Sequence, residues 1–492
     1  MTVLVVGAGP AGLVLACELA LAGVEVVVVD RLPRRSPFCR GFTLGARSLE
    51  LLDRRGLVDR FLAEGTAVPY GMFADPARPL DLTAMDTDHP YVLGIAQTRV
   101  EELLEGRLAE LGVPVRWGHE VVDLRQDADG VDVALRTGDG LDRVRAGHLV
   151  GCDGSRSTVR ELAGIGFPGV PATRFGLLAD VEPVEPDALP FGVTEGEGGP
   201  VFVIPRPGYV RIVLDEPEPP ADRHEPVTPE VFQRALDAAL GRRVALREPR
   251  WATRFSDAAR QADRYVAGRV VLAGDAAHVH PPAGAVGVNV AIADAVNLGW
   301  KLAAVALGRA PDGLLDSYHD ERHPVGAAVL RTTRAQALLG RRDPGLEPVR
   351  DLLGELAALP AVNRHLAELV SGVSTRYDPR VPGDHPWLGR LAPNLGLVVG
   401  SRRATAAELL RPGRPVLLET GDRALPASPP GAVDRHRARC PGHPDLEGLL
   451  IRPDGHAAWV STTADPQPDD TFDTALTTWF ARREPARATA PG

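Results

Sequence analysis

The chain has 492 residues, more than one ordinary hydrophobic core organises, so two or three domains are expected. With 44% hydrophobic and 24% charged residues it has the make-up of a soluble globular protein, and a net charge of −10 argues against nucleic acid or an anionic membrane surface as partner. Cys17, Cys39, Cys152 and Cys440 form no C-x-x-C or zinc spacing; they read as reduced structural thiols in a cytoplasmic protein.

In chain order, the Val-rich run Thr2–Val6 predicts a parallel strand buried on both faces. Gly7–Gly12 is a turn, Leu13–Leu21 has helical spacing that Gly23 can end, and Glu25–Asp30 is the next strand. The glycines and Glu18 interrupt the apolar stretch, and no cationic segment precedes it, so it reads as β-turn-α-β rather than a membrane span or signal. Ser48–Arg55 and Arg99–Leu111 read as helices and Pro114–Gly147 as a β-meander. Leu149–Val150 leads into Gly151-Cys152-Asp153-Gly154-Ser155-Arg156-Ser157 and a short helix, Thr158–Leu162. Arg174–Asp215 changes character: Phe175–Val181, Pro200–Pro205 and Tyr209–Leu214 are separated by Pro/Gly/Glu turns, which predicts an antiparallel sheet and a second domain. Val231–Leu240 is a helix and Arg250–Phe255 a further strand. Val270 returns to a dinucleotide-type strand, followed by a Pro/Gly-rich loop and the helix Val288–Leu307. Leu314–Val329 and Gln336–Val370 are mainly helical and Pro379–Pro386 a linker. Arg414–Glu419, Leu449–Arg452, His456–Val460 and a helix at Thr471–Arg482 suggest a small terminal α/β unit. Pro217–Pro226 and Ala464–Asp470 read as surface loops, and no internal repeat is evident.

Gly7-x-Gly9-x-x-Gly12 has the full context of a nucleotide-binding turn. Gly7 permits the tight turn, Gly9 the approach of a pyrophosphate, and Gly12 close helix–strand packing, while Asp30 ends the next strand where a carboxylate binds ribose hydroxyls. This fingerprint alone does not separate FAD from NAD. Arg40, taken alone, is a solvated loop arginine, and the Asp153-Gly154 loop alone is an ordinary turn; beside the fingerprint it becomes a second loop over a cofactor. Gly274-Asp275 at a strand end presents a carboxylate to a polar cofactor tail, and Pro281, Pro282 and Gly284 form a stiff wall for a flat ring. A helix starting near Gly287–Asn289 aims its positive end at that ring. His278 and His280 lack companions for a metal site, so none is expected. Trp300 and Lys301, the only lysine, read as packing and surface. Without a nucleophile elbow, P-loop or H-E-x-x-H, the hard chemistry rests with the cofactor.

These motifs resemble the FAD-dependent aromatic hydroxylases of the p-hydroxybenzoate hydroxylase type (class A flavoprotein monooxygenases). The resemblance is to the aromatic-polyketide subgroup with a thioredoxin-like C-terminal domain. It is carried by Gly7–Gly12, Asp30, Arg40, Gln97-Thr98-Arg99, Asp153-Gly154, Gly268–Leu302 and LIRPDGHAAW at Leu450–Trp459. The implied fold is α/β. It has a Rossmann-like FAD domain (1–75, 97–168, 268–345), a mostly antiparallel β-sheet substrate domain (76–96, 169–267), a helical connection (346–384) and a thioredoxin-like domain (385–492) lacking the redox C-x-x-C. The implied roles place Asp30 at the adenosine ribose, with its neighbour Arg31 a further cofactor-binding residue, and Arg40 and Gln97 at the FAD linker. Asp153 would lie in the loop shared by FAD and NADPH, Gly274 and Asp275 at the ribityl-pyrophosphate, and Pro282, Gly284, Gly287, Val288 and Asn289 around the isoalloxazine. The implied reaction uses FAD, NADPH or NADH and O₂ to hydroxylate a phenolic polycyclic, polyketide-type substrate through a flavin C4a-hydroperoxide, as in antibiotic biosynthesis. Phe202 and Tyr209 are candidate pocket residues and equally ordinary sheet core. The alternatives are Baeyer–Villiger insertion or oxidative rearrangement on the same scaffold, or a non-catalytic flavin- or polyketide-binding protein. The expected assembly is a monomer or homodimer. One departure stands out: the family's usual Gly-Gly-Gln-Gly-Leu-Asn is here Gly284-Ala285-Val286-Gly287-Val288-Asn289.

Overall fold

The computed structural model describes every residue except 74–77, 207, 217, 220, 221, 223, 224, 342, 424, 429, 430 and 481–492. The end of the helix read to Arg482, and part of the loop read at Pro217–Pro226, lie outside the described residues.

The chain forms two compact units, Met1–Pro168 with Gln261–Gly492, and Gly169–Arg260. The segments 76–96 and 261–267, assigned from sequence to the sheet domain, belong instead to the first unit.

The first unit is organised by a six-stranded sheet. Its strands are β1 (Val3–Val6), β2 (Val26–Asp30), β3 (Val115–Trp117), β4 (His148–Gly151), β5 (Val266–Ala267) and β6 (Val270–Leu272), in the order β5-β6-β4-β1-β2-β3. All neighbours are parallel except β5–β6. The run read as the start of the meander, Val115–Trp117, is thus the sheet's edge strand. The meander itself is a separate antiparallel sheet of Glu120–Gln126, Val131–Thr137 and Gly140–Ala146. From β1 the chain moves to β2 on one side and later to β4 on the other, so the topological switch point, where α/β sheets bind ligands, lies at β1.

Helix α1 (Pro10–Leu21) starts three residues earlier than the periodicity suggests. Proline at its first position lacks the N–H that a helix start leaves unpaired anyway. The helices α2 (Ala46–Asp53), α3 (Gln97–Glu110), α4 (Gly287–Ala306), α5 (Asp316–Leu339) and α6 (Pro360–Ser371) complete the frame. The apolar α4 is long enough to cross a bilayer, but 72% of that window is buried inside the protein, as in the core helix of a globular fold. α5 runs continuously through Pro324, so the two helical runs predicted there begin as one rod.

The chain then closes on a four-stranded sheet in the order Asp434–Arg437, Val416–Glu419, Leu446–Ile451, Ala457–Thr462. The first pair is parallel and the rest antiparallel, and the helix Asp469–Trp479 follows. Trp459, Phe472 and Trp479 fill the core of this part.

The second unit is a five-stranded antiparallel sheet in the order Gly192–Gly196, Gly199–Arg206, Tyr209–Asp215, Phe175–Val181, Trp251–Ser256. The helix Pro229–Leu240, capped by the Thr228 hydroxyl and ended by Gly241, packs Phe232, Leu236 and Leu240 into the core with Leu177, Val203 and Ile212.

Candidate functional site

A cleft of about 470 Å³ opens at the carboxyl ends of β1, β2 and β4. It brings together Gly7, Gly9, Asp30, Arg31, Arg40, Gln97, Asp153, Asp275, Pro282, Gly287 and Val288 from segments spread over 280 residues of chain. Gly12, Gly274, Gly284 and Asn289 do not line it.

The β1–α1 turn shows what each glycine does. Gly7 has φ +104°, and a Cβ there would overlap the Cys152 carbonyl. Gly12 packs α1 onto that same turn, since its own Cβ would overlap the Gly7 carbonyl. Gly9 differs: a Cβ would meet no protein atom within 4 Å, because the space beside it belongs to the cleft. Gly9 is also the N-cap of α1 and offers no side-chain cap, so the first N–H groups of the helix are free for an anion.

Asp30 is held in place by two backbone donors: Ala8 N–H reaches Oδ2 at 2.8 Å and Leu32 N–H reaches Oδ1 at 2.9 Å. Its remaining lone pairs stay available to a diol. Arg31 and Arg40 are exposed on the rim. Gln97, at the start of α3, donates to Glu101 Oε1 at 2.8 Å. Burial raises the Glu101 carboxyl above its ordinary range. Glu101 escaped the sequence reading, although its i+4 spacing from Gln97 places both on one helix face. Trp117 and His119 also line the cleft and carried no sequence signal, and Arg156 joins them from the Asp153-Gly154 loop.

Asp153 Oδ2 accepts the Val159 N–H at 3.1 Å, and the buried Oδ1 has no protein partner. Burial raises this carboxyl despite its hydrogen bonds. An orphaned buried oxygen on the wall of a cleft is a ready contact for a bound hydroxyl or amide.

At the other end, Asp275 is exposed in the turn that follows β6. That turn hangs on a residue missing from the candidates, Asp294 of α4. Its carboxylate takes the Gly274 N–H at 3.1 Å, His278 Nε2 at 2.7 Å and Arg322 Nε at 2.6 Å, all buried. His278 therefore serves an ion pair. Among the described residues no cluster of three or more His, Cys, Asp or Glu side chains is arranged to hold a metal.

The loop after the prolines is strained. Gly284 sits at φ +74° against the Gln336 amide, and Ala285 at φ +52° is one of two non-glycine residues with positive φ among those described. Ala285→Gly should raise the unfolding free energy by about 0.5–1 kcal/mol. Left-handed alanine costs about 1–2 kcal/mol, and the extra chain entropy of glycine returns part of that gain. Denaturant unfolding of the cofactor-free protein measures it, and an unchanged midpoint would refute the strain. α4 begins with Val286 at its N-cap and no side-chain cap, so a second set of free helix N–H groups faces the cleft at Gly287 and Val288.

Asn289 turns away from the cleft. Its Oδ1 accepts the Gly45 N–H and the Ser48 hydroxyl, each at 2.7 Å, and ties α4 to the start of α2. Asn289→Ala leaves both donors unpaired and should cost about 1–3 kcal/mol in stability; a melting curve coincident with wild type would contradict this role.

Phe202 and Tyr209 lie on adjacent strands of the second unit, with the Arg250 guanidinium 4.7 Å from the Tyr209 ring centroid. Lys301 is not a surface residue. It is fully buried on α4, bonded to Glu321 at 2.7 Å and Asn297 at 2.9 Å. Trp300 is buried beside it and donates to Asp454 at 3.2 Å.

Comparison with known proteins bears on the whole chain. Residues 1–333 match the FAD binding domain family, and residues 385–483 match the C-terminal domain of aromatic-ring hydroxylases. A 12-dehydrotetracycline 5-monooxygenase/anhydrotetracycline 6-monooxygenase of Streptomyces rimosus is 43% identical over 97% of this chain and 98% of its own. A rifampicin monooxygenase of Streptomyces venezuelae is 42% identical over 93% of this chain and 95% of its own. The solved structure of an aromatic hydroxylase from angucycline biosynthesis superposes with a TM-score of 0.90 at 39% identity, covering 97% of this chain and 99% of that one.

Proposed function

The chain belongs to the FAD-dependent aromatic-ring hydroxylases and is a flavin-dependent monooxygenase, and from that premise we propose that it hydroxylates a phenolic, polycyclic, polyketide-type substrate with NAD(P)H and O₂. One observation carries this reading: a single cleft has an uncapped helix N-terminus at each end, α1 beside Gly9 and α4 beside Gly287. A dinucleotide flavin carries negative charge at two separated places, on its diphosphate and, when reduced, on its ring. Two helix ends in one cleft match that spacing of charge.

The residues present fit FAD. Gly9 would leave the diphosphate room, Asp30 would meet the ribose hydroxyls, and Gln97 and Arg40 would flank the linker. The unpartnered Asp153 Oδ1 would accept from the cofactor, and Asp275 would receive the ribityl chain on a turn that Asp294 ties down through the Gly274 N–H. Pro282 supports the ring edge, and the Gly287 and Val288 N–H groups favour negative charge there. FAD, when bound, supplies reducing equivalents from NAD(P)H and activated oxygen at its C4a carbon. The protein's own part is to position the ring, stabilise its charge and keep water out. The four cysteines are buried and none forms a disulfide, consistent with work in the reducing cytoplasm.

The test is turnover under ¹⁸O₂ with a panel of polycyclic phenols and quinones. Substrate-stimulated NADPH oxidation and one ¹⁸O in a new phenolic hydroxyl are expected. Label in a ring lactone would assign Baeyer–Villiger insertion instead, and oxidation unstimulated by any compound would overturn the proposal.

A further inference from the structure

A second chamber of about 520 Å³ lies in the first unit, between α4, α5, the end of α6 and the 371–378 segment. Val286 is common to its wall and that of the cofactor cleft. Nothing in the proposed flavin chemistry uses this space. Its size suits a molecule of three or four fused rings.

The lining narrows the occupant. Val290, Ala293, Val325, Ala328, Val329 and Val370 give it apolar sides. The charged residues that reach it are already satisfied. Arg322 is bonded to Asp294 and to the Tyr377 hydroxyl, and Glu321 to Arg452 and Lys301. Arg47 is paired with Glu50 and the Val373 carbonyl. Asp320, Arg376 and Asp378 reach only its exposed mouth, so an ionic guest seated among the valines would meet buried charges already compensated and would disturb them.

Two polar groups are unsatisfied. Gln336 is 3% exposed and its Nε2 has no partner, and His456 is 4% exposed with Nε2 unpartnered. Burial lowers the His456 pKa, so this imidazole is neutral, and it stacks on the Tyr377 ring at 4.5 Å between centroids. A buried amide and a buried imidazole left open on a valine-lined chamber call for a guest that brings oxygen atoms to them. Gln336 also abuts Gly284, so a guest held there touches the loop that borders the cofactor cleft.

We propose that this chamber is a binding site for a neutral polycyclic phenol or quinone, gripped by Gln336 and His456 through its ring oxygens and by the valines through its faces. The assignment rests on the proposed function only for the origin of the guest, as the aromatic substrate or its hydroxylated product, which share this chemistry. The chamber is formed by the first unit alone and involves neither Phe202 nor Tyr209.

The test titrates the FAD-loaded protein with 1,8-dihydroxyanthraquinone, followed by its visible absorbance. Wild type should bind one probe per chain. Ala328→Trp, which fills the chamber, should weaken binding at least tenfold, and Gln336→Leu, which keeps the side chain's bulk and removes its polar end, about fivefold. If the tryptophan variant fails to fold, the leucine variant carries the test. In turnover, a raised KM in these variants identifies the guest as substrate, whereas loss of product inhibition alone identifies it as product; each supports the site. Unchanged probe affinity in both variants, or no saturable binding to wild type, would overturn it. Failure of the protein to take up FAD would sink the proposed function, and the same titration of the cofactor-free protein would still read this chamber.

Discussion

Gly9→Val is expected to purify as folded protein holding less than a tenth of the wild-type flavin. Nothing inside the protein resists the substitution: a Cβ at position 9 has no neighbour within 4 Å, and the backbone there is extended, with φ −79° and ψ −176°. Both valine methyls must then enter the cleft, in front of the free N–H groups of α1 that would take the diphosphate. Blocking that approach removes hydrogen bonds to a charged group, each worth about 1.5–3 kcal/mol, so loss of two suffices for more than a hundredfold in affinity. Gly7→Ala is the contrast. Its φ of +104° and the overlap with the Cys152 carbonyl put the fault in the fold rather than the ligand, so that variant should lose melting temperature before it loses cofactor specificity. The measurements are the absorbance ratio of flavin to protein and the melting temperature of the cofactor-free form. Full flavin occupancy in Gly9→Val would refute the placement of the diphosphate.

The same pair of residues explains what the sequence could disclose. The β1–α1 turn, the strand end at Asp30 and the start of α4 were legible as structure because each follows from backbone geometry within a short segment: a glycine turn, a strand end, a helix end. Two kinds of feature were not. The first depends on residues that meet across the chain. Asp294 sits in an apolar helix and looks like an interruption in its stripe, and only the fold brings Gly274, His278 and Arg322 to it. Lys301 looked like a surface residue for the same reason, because its partner Glu321 comes from a different helix, and Arg452, which shares Glu321 with it, from the end of a strand of the C-terminal sheet. The second kind is an absence of side chain contact. The chamber behind Val286 exists because valines and alanines on α4 and α5 stop short of one another, and a residue that fails to touch its neighbour leaves no trace in a periodic pattern. Domain limits suffered similarly: the resemblance put 76–96 with the sheet domain, yet Leu80, Leu82 and Met85 pack with Ala367 and Val373 in the first unit.

Lys301→Met and Glu321→Gln should each destabilise the protein by about 3–5 kcal/mol, while the double variant should cost clearly less than their sum. Four fully buried charges meet here: Lys301 and Arg452 against Glu321 and Asp454. Glu321 alone accepts from Lys301, Asn297 and both terminal nitrogens of Arg452. The set balances, so removing one member strands its opposite in a site without water, which is the expensive event. Removing one of each sign leaves Arg452 with Asp454, a pair that still compensates, hence the expected non-additivity. Acid should expose the same arrangement. Burial alone would push Glu321 upward, but Arg452 and Lys301 outweigh it and hold its carboxyl down at about 2, against an ordinary value of 4.5. Between those values the unfolded chain binds the proton and the native protein does not, so stability present above pH 4.5 is lost as pH falls toward 2. Burial lowers Lys301 to about 8. Here the native state gives up its proton first, so between about 8 and 10.5 this group makes stability rise with pH rather than fall. Glu321→Gln removes the carboxyl and should flatten the acid limb below pH 4.5, whereas Lys301→Met should leave part of it, because Arg452 still faces the carboxylate. Denaturant unfolding from pH 2 to 6 reads both slopes. Additive losses in the double variant, or an acid limb unchanged in Glu321→Gln, would mean that the four charges do not act as one unit joining α4 and α5 to the C-terminal sheet.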